Sequence, residues 1–166
     1  TGAPSGAYAL QGYSNFVRSQ KSRTPMIYVG GNDGMLHGFS AVDGSEKIAY
    51  IPQGGIATLK DLANPSYSHK YYVDGSPMTG DVELGGVVSG GGTSFYQADW
   101  RTLLVGTLGN GGKGYFVLDV TNPSAFSEAN ASTLVKLDRT RGNAETAPNC
   151  TDPLLSIAEQ ALCTER

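Results

Sequence analysis

The stretch Tyr28–Phe39, YVGGNDGMLHGF, is a short apolar run that breaks into Gly-Gly-Asn-Asp-Gly and then resumes. Such a centre is either a cradle for a ligand or the hinge of a folded-back ribbon, and its flanks decide between the two. MIYVG (26–30) is rich in β-branched and aromatic residues, which suit a pleated strand. MLHGFSA (35–41) alternates, placing Met35, His37 and Phe39 on one face of a second strand. Asn32, Asp33 and Gly34 accept the positive φ that a tight hairpin needs. A further turn at Asp43-Gly44 leads into SEKIAYIP, where Ile48 and Tyr50 share a face until Pro52 ends the strand. The expectation is a three-stranded antiparallel meander.

Outward from this meander the chain stays β-rich. Before it, Tyr13, Phe16 and Val17 fall at i, i+3 and i+4 and allow a short helix, which Pro25 separates from the first strand. After Gly54-Gly55, the residues Ile56, Leu59 and Leu62 form one stripe of a short helix closed by Asn64-Pro65. HKYYVDGSPMTGDVEL (69–84) reads as extended chain with a turn at Asp74-Gly75. GGVVSGGGT (85–93) reads as a flexible loop. WRTLLVG (100–106) and GYFVLDV (114–120) are the two strongest strand patterns, joined by TLGNGGK with its hinge glycines Gly109 and Gly111.

Composition agrees with an exported, turn-rich β protein. Glycine supplies 23 of 166 residues and charged residues only 16 %, against usual shares of about 7 % and roughly 25 %. A net charge of −3 with scattered Lys and Arg gives no basic stripe for a nucleic acid. No run of 18 apolar residues exists to span a bilayer, and TGAPSGAYAL is no signal peptide, so an export signal is expected upstream of Thr1.

Laying 27–41 over 103–119 reveals a weak internal repeat: an apolar strand ending in Val-Gly, a glycine-rich reversal, an aromatic strand, then a turn. Repeats of this kind point to blades, because each unit cannot bury both faces alone. A four-stranded blade takes about 40–45 residues and a closed propeller about 4–8 blades. The expectation is therefore an all-β segment of about two blades, with short helices in its loops. It divides into a lead-in (1–25), the blades (26–138) and a loop and short-helix tail (139–166).

Enzymatic chemistry finds little support. Gly109-x-Gly111-x-x-Gly114 matches the dinucleotide fingerprint formally, but that fingerprint must open a helix whose N-terminus meets the pyrophosphate, and GYFVLDV is a strand. The phosphate loop fails too, since Gly114 follows Lys113 where Ser or Thr must hold magnesium. His37 and His69 are the two histidines. Their spacing is no metal pattern, and His37, mid-strand, is expected to be half-buried and bonded to backbone. No Gly-x-Ser-x-Gly elbow occurs. Asp33, Asp43, Asp74, Asp81 and Asp119 lie mostly at turns, where Asp bonds nearby amides. Asp119 with Thr121, Asn122 and Glu128 is a poor approach to a calcium loop.

Cys150 and Cys163 sit in a tail of different character. Asp152-Pro153 caps an apolar helical stripe from Leu154 to Leu162. Two cysteines in an exported chain most simply form one disulfide, with free or metal-bound thiols as the alternative. A helix over 153–162 would be about 15 Å long while bridged Cα atoms must come within about 7 Å. The helix is thus expected to be shorter than its pattern.

SRTPMIYVGGNDGMLHGFSAVDGSEKIAYIP (22–52), HKYYVDGSPMTGDV (69–82) and WRTLLVGTLGNGGKGYFVLDVTNPSAFSEANAS (100–132) resemble consecutive blocks of the C-terminal domain of the PilC/PilY family. These are type IV pilus tip-associated biogenesis factors and adhesins. The resemblance runs from about Tyr13 to Leu137 and implies a seven-bladed, quinoprotein-like β-propeller. It implies export to the outer membrane, cell surface and pilus tip, and promotion of pilus extension against retraction. It also implies twitching motility and attachment to host cells or surfaces. Implied partners are pilus subunits, minor pilins, host-cell or abiotic surface receptors and the remainder of the propeller. Calcium belongs to the family's aspartate-rich loop, which no segment here matches, so no cofactor is assigned to this chain.

Two other readings compete with a non-enzymatic pilus factor. A pyrroloquinoline quinone dehydrogenase would share the blade repeat, but it brings tryptophan-rich packing and an adjacent cysteine pair, against one Trp and two distant cysteines here. The other is a scaffolding propeller with no adhesive role. A propeller holds its strands rigid and presents recognition in its connections. GGVVSGGGTSFYQAD, with Phe95 and Tyr96, and the cysteine-bearing tail are therefore the expected partner contacts.

Overall fold

A computed structural model describes residues 12–90 and 93–142. Helix α1 (Tyr13–Ser19) precedes the strands β1 (Met26–Gly30), β2 (Leu36–Ser40) and β3 (Glu46–Tyr50). A one-turn helix α2 (Gln53–Ile56) and a 3-10 turn (Leu59–Ala63) lead to β4 (Met78–Glu83). Then come β5 (Gly86–Gly90), β6 (Thr93–Gln97) and β7 (Trp100–Thr107). A 3-10 turn (Gly109–Gly111) enters β8 (Gly112–Lys113), followed by β9 (Tyr115–Asp119), helix α3 (Ala131–Leu134), β10 (Val135–Asp138) and β11 (Arg141–Gly142).

Two antiparallel sheets carry the fold. The first has the order β1-β2-β3, the expected meander, and the second the order β10-β9-β7-β4. Their facing sides meet in one core in which Leu36, Leu104 and Phe116 are 0 % exposed, with Val73, Leu108, Leu118 and Val120 beside them. Tyr28, Ile48 and Tyr50 of the first sheet pack on that cluster, and the Tyr50 and Phe116 rings lie 5.2 Å apart. Burying each such aliphatic or aromatic side chain stabilises the fold by about 1.5–3 kcal/mol. Helix α1 docks on the second sheet, with Tyr13 and Phe16 ring centroids 4.6 and 6.3 Å from that of Trp100.

The repeat is real, but its register differs from the Val-Gly overlay by one residue. Ala41 N–H donates to Pro25 C=O at 2.8 Å, and Val120 N–H donates to Thr102 C=O at 2.9 Å. The Ser40 hydroxyl accepts from Val42 N–H, and the Asp119 carboxylate accepts in the same way from Thr121 N–H. Met26 faces Ser40 across β1-β2, and Leu103 faces Asp119 across β7-β9. Met26 thus corresponds to Leu103, Tyr28 to Val105 and Ser40 to Asp119. A slip of one residue exchanges the two faces of a strand. The outcome is visible in exposure: Leu104 is 0 % exposed whereas its counterpart Ile27 is 57 % exposed, and Tyr28 packs inward whereas Val105 is 43 % exposed. Equivalent faces therefore point the same way along the stack. That is head-to-tail packing of successive blades rather than a two-fold sandwich.

Other expectations need correction. GGVVSGGGT is no loop: β5 and β6 form an antiparallel hairpin in which Val87 faces Tyr96 and Val88 faces Phe95. Its glycines hid the alternation. The stripe Ile56, Leu59, Leu62 does not form one buried helix face, because the chain breaks between α2 and the 3-10 turn, leaving Ile56 59 % and Leu62 37 % exposed. Among Asn32, Asp33 and Gly34 only Gly34 has positive φ, at 97°. A side chain there would also run into Leu59.

Candidate functional site: an exposed hairpin and a charged clamp

The glycine-rich connection after β7 holds no nucleotide cradle. Gly114 is followed by β9, and Lys113 lies in β8, paired with Arg141 of β11. Gly109 has a φ of 55°, and Gly111 sits against the backbone of Tyr72, so both serve close packing of this turn on residues 72–75. Asp74 receives the Asn110 side-chain amide at 2.9 Å, and Gly75 abuts Thr107. At the other reversals, Asp43 receives Ser45 N–H and its hydroxyl, and Gly44 has a φ of 72°. Asn32 accepts from Tyr72 N–H and its amide meets the His69 ring at 3.3 Å.

His37 is bonded to carboxylates and not to backbone, contrary to expectation. Its Nε2 lies 2.8 Å from Asp33 Oδ2 and its Nδ1 lies 2.5 Å from Glu46 Oε1. Asp33 comes from the β1-β2 turn and Glu46 from the start of β3, where a bulge after Gly38 shifts the register. The imidazole side chain is 17 % exposed and its flanking carboxylates about half exposed. The ring's bond to Glu46, helped by that to Asp33, raises its pKa above its ordinary value. The trio is an imidazole held between two carboxylates, on the face of the first sheet that carries Ile27, Val29 and Phe39.

The remaining turn carboxylates do not converge. Asp81 accepts from Tyr13 and Thr102 hydroxyls at 2.9 and 2.7 Å, fixing α1 to the second sheet. Asp119, 7 % exposed, lies 3.5 Å from Arg101 and 3.6 Å from Lys136. Among the described residues no group of three or more His, Cys, Asp or Glu could hold a metal ion. Cys150, Cys163 and the tail helix pattern lie outside the described residues.

The hairpin β5-β6 is the conspicuous surface feature. Among the described residues neither strand has another neighbour in its sheet. Val87 and Tyr96 share one face, Val88 and Phe95 the other, and they are 72 %, 46 %, 42 % and 56 % exposed respectively. Both faces of the ribbon therefore present apolar surface, which folded domains seldom leave open without use. Glu83, at the end of β4, anchors its base. The carboxylate accepts from the Tyr96 hydroxyl, from Gly85 N–H at 2.7 Å and from Asp99 N–H at 2.9 Å. These bonds, that of Tyr96 foremost, hold its pKa below the usual value. Sequence reading missed Glu83; its signal was a carboxylate two residues before a glycine at the mouth of a hairpin.

Residues 3–151 match a family model described as the PilY1 beta-propeller domain. The type IV pilus biogenesis factor PilY1 of Pseudomonas aeruginosa is 45 % identical over 115 residues, covering 68 % of this chain and 9 % of that protein. A homologue of PilY1 from Xylella fastidiosa is 44 % identical over 115 residues, covering 68 % of this chain and 8 % of that protein. The crystal structure of the P. aeruginosa PilY1 C-terminal domain is similar at 44 % identity and a TM-score of 0.42, covering 68 % of this chain and 19 % of that one. The chain thus spans less than a tenth of the length of the curated relatives it matches. Two successive antiparallel sheets repeating one register, under a family match over most of the sequence, place this chain in the PilY1 beta-propeller domain family.

Proposed function

We propose that this chain is a non-enzymatic propeller segment of an exported type IV pilus biogenesis factor, and that its β5-β6 hairpin is a partner contact. On this reading the whole protein acts at the cell surface and pilus tip, promotes extension against retraction, and supports twitching and attachment. The observation that carries the hairpin's role is its exposure: four large apolar side chains, Val87, Val88, Phe95 and Tyr96, stand on a two-stranded ribbon outside the core. Aromatic residues on a rigid exposed element are the usual anchors of protein interfaces. The names of the relatives support the pilus system as the setting.

The test is replacement of Phe95 and Tyr96 by Ala in the full-length protein in piliated cells, with surface pili counted separately from attachment. Lost attachment with normal pili supports an adhesive contact, and lost pili an assembly contact. Unchanged pili, twitching and attachment would remove the hairpin from the proposal. Dye-linked alcohol oxidation after addition of the quinone would overturn the non-enzymatic reading.

A further inference from the structure

β3 and β10 are each the last strand of their sheet, and between them lies a cavity of about 200 Å³. Leu118, Leu134 and Val135 wall it on one side, and the consecutive residues Lys47–Tyr50 on the other. Side chains of a strand alternate between its faces, and Ile48 and Tyr50 already pack on the core. A cavity that touches four residues in a row therefore runs along the edge of β3 and not over one face. Among the described residues β3 pairs with β2 alone, so the outer N–H and C=O groups of that edge are a template for main-chain pairing.

The opposite wall is fixed before anything binds. Asn130 donates its side-chain amide to Ala125 C=O at 2.8 Å, and Thr133 donates its hydroxyl to Asn130 C=O at 2.8 Å, bracing the turn that enters α3. Tyr50 is held in place by Asp138 of β10. A site formed in advance spares a ligand the cost of ordering it. Two opposite charges stand at the rim: Lys47 and Glu128 are exposed and both border the cavity. The ion pairs among the described residues use neither of them. An apolar cavity of about 150 Å³ accepts a benzene-sized guest, so this one has room for a single large apolar side chain.

We propose that this cleft docks an extended peptide of a partner protein. The peptide lays its backbone along β3, buries one leucine-sized side chain between Ile48 and Leu134, and sets an acidic residue against Lys47 and a basic one against Glu128. Pairing at a sheet edge supplies affinity, and the cavity with its two charges selects the sequence. The β5-β6 hairpin contributes no residue to this cleft, so the two contacts are independent.

The test uses the full-length protein and a pair of short peptides. Each has leucine at its centre, one aspartate and one lysine beside it in either order, and threonine elsewhere. Saturation-transfer NMR observed on the peptide suits a large protein and a weak, single-anchor ligand. Expected is saturable binding with one charge order preferred, weakened roughly tenfold or more when the central leucine becomes alanine. Ala131→Trp fills the cavity from its exposed rim and should weaken binding by a similar factor at an unchanged thermal midpoint. Exchanging the rim charges, Lys47→Glu together with Glu128→Lys, should invert which peptide binds more tightly, and this arm decides where Ala131→Trp does not fold. The proposal is overturned by failure of both peptides to bind, by equal binding of leucine and alanine peptides, or by binding that a folded Ala131→Trp leaves intact. The absence of an order preference, or one that survives the charge exchange, would overturn it too. So would self-association of the protein that Ala131→Trp abolishes, since the occupant would then be a second copy.

Discussion

The phenol of Tyr50 donates a hydrogen bond to Asp138 Oδ2 at 2.5 Å, joining β3 of one sheet to the end of β10 in the other. The same carboxylate accepts from Gln53 N–H at 2.8 Å and from the amide and hydroxyl of Thr140, at 2.9 and 2.6 Å. Asp138 thus gathers the exit of the first sheet and the exit of the second at one point. Burial first, and the carboxylate second, push the Tyr50 hydroxyl's pKa well above its ordinary value, so it stays a donor at any physiological pH.

Removing that phenol should separate the sheets energetically without creating a large void. Tyr50→Phe is expected to cost about 1.5–3 kcal/mol, the range for a hydrogen bond to a charged group. Asp138→Ala should cost more, because it strands four donors at once. Urea unfolding of the two variants checks the order; a Tyr50→Phe protein as stable as the parent would show that the bond is not an inter-sheet tie.

Register gives a second prediction, at Gly106. A Cβ on Gly106 would enter the ring of Phe116, which is fully buried. Gly106→Ala should therefore destabilise by roughly 1–3 kcal/mol through overpacking. Gly44→Ala, with open space around it, should cost only the strain of its positive φ, about 1 kcal/mol. Thermal unfolding of both variants compares crowding with backbone strain directly.

How far these features could be read in the sequence depends on what encoded them. The strands β1, β7 and β9 announce themselves through MIYVG, WRTLLVG and YFVLD, because β-branched and aromatic side chains have few other uses at that density. The Val-Gly pairs at 29–30 and 105–106 drew the overlay one residue out of place, since dipeptide identity says nothing about which face a residue takes. The register is fixed by the matching bonds of Ser40 and Asp119 together with the backbone pairs Ala41–Pro25 and Val120–Thr102. The hairpin β5-β6 was hidden because glycine marks loops and tight ribbons equally well. At His37, the Asp33 partner sits four residues away and was within reach, whereas Glu46 arrives only through the meander and its bulge.

The clamp at His37 predicts a direction of pH dependence. Its folded pKa is raised, so its contribution to stability is complete below the unfolded value of about 6.5 and is lost as pH climbs through the folded value. The groups facing the ring are Asp33, Glu46 and the stacked Phe39, 5.9 Å away. Urea midpoints should therefore fall from pH 6 toward alkaline pH more in the parent than in His37→Gln. Because the carboxylates are half exposed, 1 M salt should shrink the difference. Identical pH profiles for parent and variant would refute the clamp's coupling to folding.

Glu83 and the hairpin supply the last prediction. Phe95 and Tyr96 are exposed, so replacing either should change global stability by no more than about 0.5 kcal/mol. The order of the hairpin is another matter, because its base hangs on one carboxylate that receives Tyr96, Gly85 and Asp99 together. Glu83→Ala should leave the unfolding midpoint nearly unchanged while the Gly85 and Asp99 amides lose protection from hydrogen exchange. Acid should act in the same direction on the parent. Glu83's lowered pKa means that its contribution is present above the ordinary carboxylate value of about 4.3 and disappears as pH falls through the folded one. Local loosening without global loss is the signature that separates an anchor of the hairpin from a member of the core; protection retained at both amides in Glu83→Ala would show that backbone bonds at its base, such as Leu84 N–H to Asp99 C=O, hold the ribbon unaided.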